Sequence, residues 1–135
     1  MQITGRVLDR GQGRVEGEAV VFEVPFSFIG DFDPASGKVS MSGHPLFGRS
    51  LKDKILVIPT SRGGTIAPYI AYYAKKNKVS PAAILCNIAD TITLECALTI
   101  DIPILDNFTE DITKVLLTGD KLEINTDTGL VEVSR

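Results

Sequence analysis

The stretch Ile55-Leu56-Val57-Ile58-Pro59-Thr60-Ser61-Arg62-Gly63-Gly64-Thr65 decides how this chain folds, because an apolar, β-branched run ends abruptly in a small, polar, glycine-rich turn. The segment from Ile66 to Lys76 has apolar residues at roughly helical spacing and lysines near its end, where cations complement a helix dipole. The stretch therefore predicts a buried strand, a loop and a helix. Backbone N–H groups that open a helix lack intrahelical partners, so we expect the loop to bind a carboxylate or a phosphate.

The loop from Ser61 to Thr65 supplies the candidate binding residues. Gly63 and Gly64 allow a ligand to approach the backbone closely, while Arg62 offers a guanidinium fork and the two end residues offer hydroxyls. A turn that only reverses the chain, with a solvated Arg62, remains the alternative. The loop is neither a nucleotide P-loop, which closes with Lys-Ser/Thr, nor a full G-x-G-x-x-G dinucleotide motif.

Patterns on either side of this stretch predict an α/β fold with a mixed sheet. Two β-hairpins are predicted at the ends of the chain, one from Gln2 to Glu23 around the turn Asp9–Gly13, the other from Lys121–Ile124 and Leu130–Val133. Between them, the patterns predict in order a strand over Ala82–Asn87, a helix from its N-cap Asp90 to Ile100, a strand over Ile102–Leu105 and a short helix over Phe108–Leu117.

Ligands of such folds collect at the carboxyl ends of the strands. We therefore expect Ser61–Thr65 and Asn87–Thr91 to lie at one edge of the sheet if their strands are neighbours. Thr91, Thr93 and Glu95 then either point toward the loop or serve as caps and surface residues.

The length of 135 residues predicts one domain over residues 1–135, and 44% hydrophobic with 23% charged residues is ordinary for a soluble protein. A net charge of −3 and dispersed basic residues argue against a nucleic-acid partner. No apolar run approaches the roughly 20 residues that span a bilayer, and no N-terminal signal run is present, so we expect no membrane contact and a cytoplasmic location.

The remaining reactive side chains form no self-sufficient catalytic group. Cys86 and Cys96 lie in apolar segments without a neighbouring His, which favours reduced core thiols over a metal site. The single histidine, His44, is a candidate phosphocarrier or general base, but a loop histidine with local hydrogen bonds is the favoured interpretation. Asp31 and Asp33 are either an acid pair or, as we favour, turn-forming carboxylates.

A cluster of apolar side chains occupies the loop between Pro25 and Gly37. Contiguous apolar surface in a loop is typical of an interface, so we expect Phe26, Phe28, Ile29 and Phe32 to contact a partner. The alternative is that they fold inward as a satellite core.

An anion-binding loop without a base or a metal indicates a subunit whose site is completed by another chain.

Several motifs, occurring in order along nearly the whole chain, resemble the small subunit of aconitase X enzymes. They are Phe26-Ser27-Phe28-Ile29-Gly30, Asp33-Pro34 with Gly37, His44-Pro45-Leu46, Gly48 to Leu51, Lys54-Ile55-Leu56-Val57 into Pro59, Arg62-Gly63, Pro81-Ala82-Ala83-Ile84, Ile102-Pro103 and Thr118-Gly119-Asp120.

The resemblance implies a swivelling β/β/α domain, with a mixed β-sheet core, flanking helices and terminal β-hairpins. It implies a hydro-lyase acting on a small hydroxy acid such as mevalonate 5-phosphate or cis-3-hydroxyproline. The partner would be the aconitase X large subunit, in a heterodimer or a larger assembly. Iron, as a single ion or an iron–sulfur cluster, would be held by that subunit and no cofactor by this chain.

One position departs from the family pattern, which usually has Gly-Arg-Gly-Ser across the loop with the final serine as the proton acceptor. Here Gly64 stands at the serine position. The resemblance therefore implies that Ser61, Arg62, Gly63 and Gly64 bind the substrate anion, while Thr65 or Ser61 takes over as the base. The alternative is a non-catalytic module of the same fold that keeps anion or partner binding.

Overall fold

Eight strands and three helices make up the computed structural model, which describes all 135 residues. The strands are β1 (Gln2–Thr4), β2 (Arg6–Asp9), β3 (Val15–Val21), β4 (Ile55–Ile58), β5 (Ala83–Cys86), β6 (Ile104–Asp106), β7 (Lys121–Ile124) and β8 (Leu130–Ser134). The helices are α1 (Ala67–Lys76), α2 (Thr91–Ile100) and α3 (Ile112–Val115).

The strands form one mixed sheet in the order β1-β8-β7-β3-β4-β5-β6-β2. Strands β3, β4, β5 and β6 run parallel, and the pairs β3–β7, β7–β8, β1–β8 and β2–β6 are antiparallel. Helices α1 and α2 are the crossovers that bring the chain back to start β5 and β6 in the same direction as β4, whereas residues 22–54, which contain no helix, connect β3 to β4. The predicted mixed sheet is confirmed.

Side chains alternate between the two faces of the parallel strands, and both faces are buried. On β4, Leu56 and Ile58 pack beneath α1 and α2, while Ile55 and Val57 pack on the other face with α3 and the antiparallel strands. This double burial explains why the segment is apolar throughout.

The predicted N-terminal hairpin is wrong, whereas the C-terminal hairpin of β7 and β8 is confirmed. Strand β2 pairs with β6, and β3 lies between β7 and β4. The turn between β2 and β3 packs Gly11 against the backbone of Ile102 and Pro103, so close that a Cβ on Gly11 would lie 2.5 Å from it. Turn chemistry was recognised correctly, but tertiary packing and not the turn selects each strand's partner.

The two edge strands β1 and β2 are joined by Gly5 alone, although they stand at opposite ends of the sheet order. A connection of one residue requires the two ends of the sheet to come close together, so the sheet curls. Gly5 holds the junction by donating its N–H to the carbonyl of Gly129 at 3.0 Å.

Two helices depart in detail from the sequence prediction. In α1 the buried face consists of Ala67, Ala71 and Ala74, while its tyrosines are exposed. Helix α3 covers only Ile112–Val115: Asp111 caps its start by accepting the N–H of Thr113 at 3.0 Å, and the extended backbone of Leu116 ends it. None of the three helices has both the length and the apolar run that crossing a membrane requires.

The aromatic segment, Phe26–Phe32, does not form the expected contact surface. Phe26, Phe28 and Phe32 are 1%, 4% and 3% exposed and belong to the core cluster under α1 and α2. Their rings meet edge to face, with centroids 5.3 Å apart for Phe26–Phe28 and 5.4 Å for Phe28–Phe32. The interface prediction is therefore wrong for these three residues, and the inward-folded alternative is correct. Edge-to-face contacts between the rings stabilise this packing in the core.

Candidate functional site

The segments that follow β4 and β5 meet at one edge of the sheet, as the sequence predicts. The two strands pair in parallel with Ile58 opposite Cys86, so their carboxyl ends are adjacent. Across this junction the Ser61 hydroxyl donates a hydrogen bond to the Asp90 carboxylate at 2.7 Å. The binding loop, Ser61–Thr65, is thereby tied to the start of α2.

Asp90 is the N-cap of α2 and an ionised hydrogen-bond acceptor. Its second oxygen accepts the backbone N–H of Thr93 at 2.7 Å and the Thr93 hydroxyl at 2.6 Å. Burial works to raise the pKa of Asp90, but the hydrogen bonds from Thr93 and Ser61 outweigh it and lower the pKa below its ordinary value. The hydroxyl hydrogen of Ser61 therefore faces a carboxylate, which leaves the lone pairs of Oγ available.

Arg62 forms an ion pair with Asp31, a residue 31 positions away in the chain. Nη2 of Arg62 lies 2.5 Å from Oδ1 of Asp31, and the arginine side chain is 54% exposed whereas the aspartate side chain is 5% exposed. The acid pair of Asp31 with Asp33 is not formed. Asp33 instead closes an exposed turn by accepting the N–H of Ala35 and the hydroxyl of Ser36.

Four consecutive backbone N–H groups, those of residues 63 to 66, donate no hydrogen bond within the chain. They immediately precede α1, whose N-cap Ile66 makes no side-chain cap bond and whose second residue is proline. All four residues are exposed. This arrangement has the features of an anion-binding helix start: free donors, a positive dipole end and a neighbouring guanidinium.

The two candidate bases lie on different surfaces. Ser61 lines an enclosed cavity of about 10 Å³ together with Arg62, Thr93 and Cys96. Thr65 instead lines an open groove between the outer faces of α1 and α2. The enclosed cavity has the size of one water molecule, so a substrate would be bound outside it, over the exposed loop.

Gly64 has a backbone conformation that suits glycine alone. Its φ of +117° lies in the range that L-residues rarely adopt, and a Cβ built on it would lie 2.5 Å from Cδ1 of Ile29. A serine here would need both a change of backbone and a shift of the Ile29 side chain.

The other sequence candidates have structural roles. His44 accepts the N–H of Leu46 at its Nδ1, 3.0 Å away, and stacks on Phe22, which confirms the local hydrogen-bonding interpretation. Cys86 and Cys96 are buried free thiols, and burial, followed by nearby carboxylates, raises the pKa of each to about 12. No three side chains of His, Cys, Asp or Glu are grouped so that they could hold a metal ion.

Asp31 and Asp90 are the residues whose part in the site sequence reasoning missed. The cap role of Asp90 was visible from its position before an apolar helix, but its bond to Ser61 was not. Asp31 carried no local signal, because its partner Arg62 comes close only through the fold.

The chain is similar to known proteins over nearly its whole length. Residues 2–133 match the family described as the aconitase X swivel domain. The phosphomevalonate dehydratase small subunit of Methanothermobacter thermautotrophicus is 37% identical over 131 residues, which cover 97% of this chain and 98% of that protein. The protein of the same name from Thermococcus kodakarensis is 38% identical over 133 residues, covering 98% and 96%. The crystal structure of Thermococcus kodakaraensis aconitase X in its holo-form superposes with a TM-score of 0.90 at 36% identity, covering 100% of this chain and 99% of that one.

Proposed function

This chain belongs to the aconitase X swivel-domain family, and from this we propose that it is the small subunit of a hydro-lyase that dehydrates a small hydroxy acid together with a larger subunit. The resemblance and the α/β swivelling fold expected from the sequence are confirmed by the family match and the superposition. The observation that carries the proposal is similarity over nearly the full length of both chains to phosphomevalonate dehydratase small subunits.

Mevalonate 5-phosphate is the substrate that we favour over cis-3-hydroxyproline. The relatives above are named for phosphomevalonate. The binding loop is also suited to a phosphate, since free N–H groups from residues 63 to 66 stand beside the Arg62 fork. A phosphate accepts several such bonds at once, and charge-assisted bonds are the stronger ones.

In the mechanism that we propose, the binding loop holds the substrate anion while a hydroxyl of the same loop accepts the proton. Of the two candidates only Ser61 has an acceptor for its own proton, because Asp90 stands 2.7 Å away to receive it as Oγ takes one from the substrate. The substrate would have to reach Oγ from the exposed loop, since the cavity that Ser61 lines holds no more than one water molecule. Thr65 has no such acceptor within the chain. Iron, which no residues of this chain are grouped to hold, would reside on the larger subunit and polarise the leaving hydroxyl.

A non-catalytic module is the second candidate function, and the conformation of Gly64 favours it. With φ at +117° and Ile29 close by, the loop is shaped around glycine and not around the serine of the family pattern. Under this alternative the loop retains anion binding and the dehydration step is absent.

Exposed aliphatic side chains around the binding loop are the surface that we assign to the larger subunit, in place of the buried aromatic segment. Val24, Ile66 and Ile88 follow the carboxyl ends of β3, β4 and β5 and are 42%, 54% and 70% exposed. The parallel strands bring all three to the edge that carries the loop. Docking there would cover apolar surface and exclude water from the anion. The cytoplasmic location expected from the sequence stays a proposal.

Co-expression with the larger subunit and an assay of phosphomevalonate dehydration test the function. Arg62→Ala should lower kcat/KM by about 10-fold to 100-fold, because it removes charge-assisted hydrogen bonds to the substrate anion. Arg14→Ala is the matched control, since Arg14 pairs with Glu123 on the antiparallel part of the sheet. A complex that assembles but does not dehydrate phosphomevalonate would favour the non-catalytic module.

The docking surface has its own test. Ile88→Ser should weaken co-purification of the two subunits, while Leu98→Ser, which changes an exposed aliphatic residue near the far end of α2, should not. Equal retention of both variants would show that this edge is not the interface.

A further inference from the structure

Asp31 is a buried carboxylate that lies outside the binding loop and contacts it through one side chain. We propose that Asp31 is a positioning residue that sets the direction of the Arg62 guanidinium toward the substrate anion, an inference that rests on the proposed function. Its Oδ1 accepts a hydrogen bond from Nη2 of Arg62 at 2.5 Å, and its Oδ2 accepts one from the backbone N–H of Ser27 at 2.9 Å. Each carboxylate oxygen of Asp31 therefore accepts a hydrogen bond from a different residue.

The two ends of this ion pair differ in exposure. The Asp31 side chain is 5% exposed and the Arg62 side chain is 54% exposed, so one end is held by the protein and the other faces solvent. Only Nη2 is used by Asp31, which leaves the donors of Nε and Nη1 free. A free arginine has many rotamers, and one restrained through Nη2 has fewer to lose when an anion binds.

The aromatic segment is what holds Asp31. Phe28 and Phe32 lie on either side of it in the chain and pack edge to face inside the core. The backbone carbonyl of Asp31 accepts the N–H of Ser40 at 2.9 Å. The main chain of Asp31 and its aromatic neighbours thus fix the position of the carboxylate. The ion pair with this fixed carboxylate then restrains the Arg62 guanidinium.

The binding loop is also joined to this segment through the backbone. The N–H of Phe26 donates to the carbonyl of Thr60 at 3.1 Å, and the N–H of Arg62 donates to the carbonyl of Phe26 at 3.0 Å. The main chain of Arg62 is therefore placed without help from Asp31. What Asp31 adds is the direction of the side chain, which makes its role separable from the fold of the loop.

Asp31 has two opposing effects on a bound anion. Its negative charge repels the anion, and its hold on Nη2 orients the fork that binds the anion. Repulsion acts across the width of the guanidinium and is weakened by solvent at this exposed position. Orientation acts at direct contact, so we expect it to dominate.

Steady-state kinetics of the two-subunit complex with mevalonate 5-phosphate test the assignment. Asp31→Asn keeps the shape and an oxygen acceptor but removes the charge, and it should raise KM about fivefold to tenfold. In the Arg62→Ala background, the same change should add less than about twofold, since a positioning residue has no effect once the residue that it positions is gone. Asp33→Asn, in the exposed turn two residues away, is the matched control and should leave KM unchanged.

Each outcome separates this inference from the proposed function. An unchanged KM in Arg62→Ala would remove the loop from substrate binding, and the proposed function of the loop would fail first. A raised KM in Arg62→Ala with an unchanged or lowered KM in Asp31→Asn would keep the loop and overturn the positioning role. A further increase when the two changes are combined would also overturn it, by showing that Asp31 acts independently of Arg62.

A measurement on the unmutated chain covers the case in which Asp31→Asn does not fold. The NMR signal of the Arg62 side-chain Nε–H reports whether the guanidinium is held. A sharp, dispersed signal that shifts on addition of inorganic phosphate supports the assignment. A signal averaged with those of the exposed arginines would overturn it.

Discussion

The aromatic segment, Phe26–Phe32, and the binding loop, Ser61–Thr65, touch each other at one edge of the sheet but are built in opposite ways. The aromatic rings are buried and packed edge to face, and the Ser27 hydroxyl and the Asp31 carboxylate each accept a backbone hydrogen bond. The loop is mostly exposed, and four consecutive N–H groups in and just after it have no partner in the chain. A segment whose rings are packed in the core provides support, and an exposed segment with free donors is available to a ligand.

This contrast divides the edge into a rigid support and a contact surface. Two carboxylates connect them, since Asp31 holds Arg62 from the aromatic side and Asp90 holds Ser61 from the side of α2. The polar side chains of the loop are thereby oriented while its backbone donors stay free. Preorganised donors of this kind lose little freedom on binding.

Removing a ring from the support should give the largest effect. Phe28→Ala leaves a cavity between two aromatic neighbours in the core and should lower the free energy of unfolding by about 3–5 kcal/mol. Urea denaturation of the full chain measures it. Phe47→Ala, at a side chain that is 61% exposed, is the control and should change stability by less than about 0.5 kcal/mol. A loss below about 1 kcal/mol at Phe28 would mean that the aromatic segment is not a support.

A side chain at position 64 tests how strictly the loop is shaped around glycine. Gly64→Ser should lower the free energy of unfolding by about 1–2 kcal/mol through its positive φ, with an added cost from contact with Ile29. Gly119→Ser separates the two costs, because Gly119 has φ +101° with nothing within 4 Å of a built Cβ. Ile29→Ala should remove the extra cost at position 64. If Gly64→Ser and Gly119→Ser lower the free energy of unfolding equally while Ile29 is unmutated, the Ile29 side chain moves aside at no measurable cost.

Removing the contact between the binding loop and α2 should lower stability less than the two changes above. Asp90→Ala removes the N-cap and should lower the free energy of unfolding by about 1 kcal/mol. Asp90→Asn keeps a capping oxygen and should lower the free energy of unfolding by only a few tenths of a kcal/mol. Both changes should lower the dehydration rate of the complex if Ser61 passes its proton to Asp90. Full activity in Asp90→Asn would remove the carboxylate from the proton path.

Acid should produce the smallest effect. Hydrogen bonds lower the pKa of Asp90 against the effect of burial, so its contribution to stability is complete above the ordinary aspartate pKa of about 4. That contribution is lost as the pH falls through the lowered native pKa, because the unfolded chain binds the proton more readily. Thermal unfolding between pH 2 and pH 6 should show a shallower acid decline in Asp90→Asn than in the unmutated chain. Asp127→Asn, at an exposed surface ion pair, is the control, and an identical decline in all three would contradict the assignment.

Local chemistry was sufficient for the centre of the fold. The apolar run into the glycine turn, the lysines at the end of α1 and the position of Asp90 before an apolar helix are short-range signals. They predicted β4, the loop, both long helices and their common edge correctly. The ordered motifs, which extend over most of the chain, also identified the family.

Partner choice depended on the tertiary structure. The N-terminal turn predicted a hairpin, but β2 pairs with β6 and β3 pairs with β4 and β7. Packing of the turn against the backbone of Ile102 and Pro103 places β2 beside β6 instead of β3. The aromatic segment has the same composition whether it faces a partner or the core, and only the space beneath α1 and α2 decides between them. The contacts that orient the loop, Arg62 with Asp31 and Ser61 with Asp90, join residues 31 and 29 positions apart. Such pairs carry no signal in either segment alone, since the free energy that forms them comes from the packing that brings the segments together.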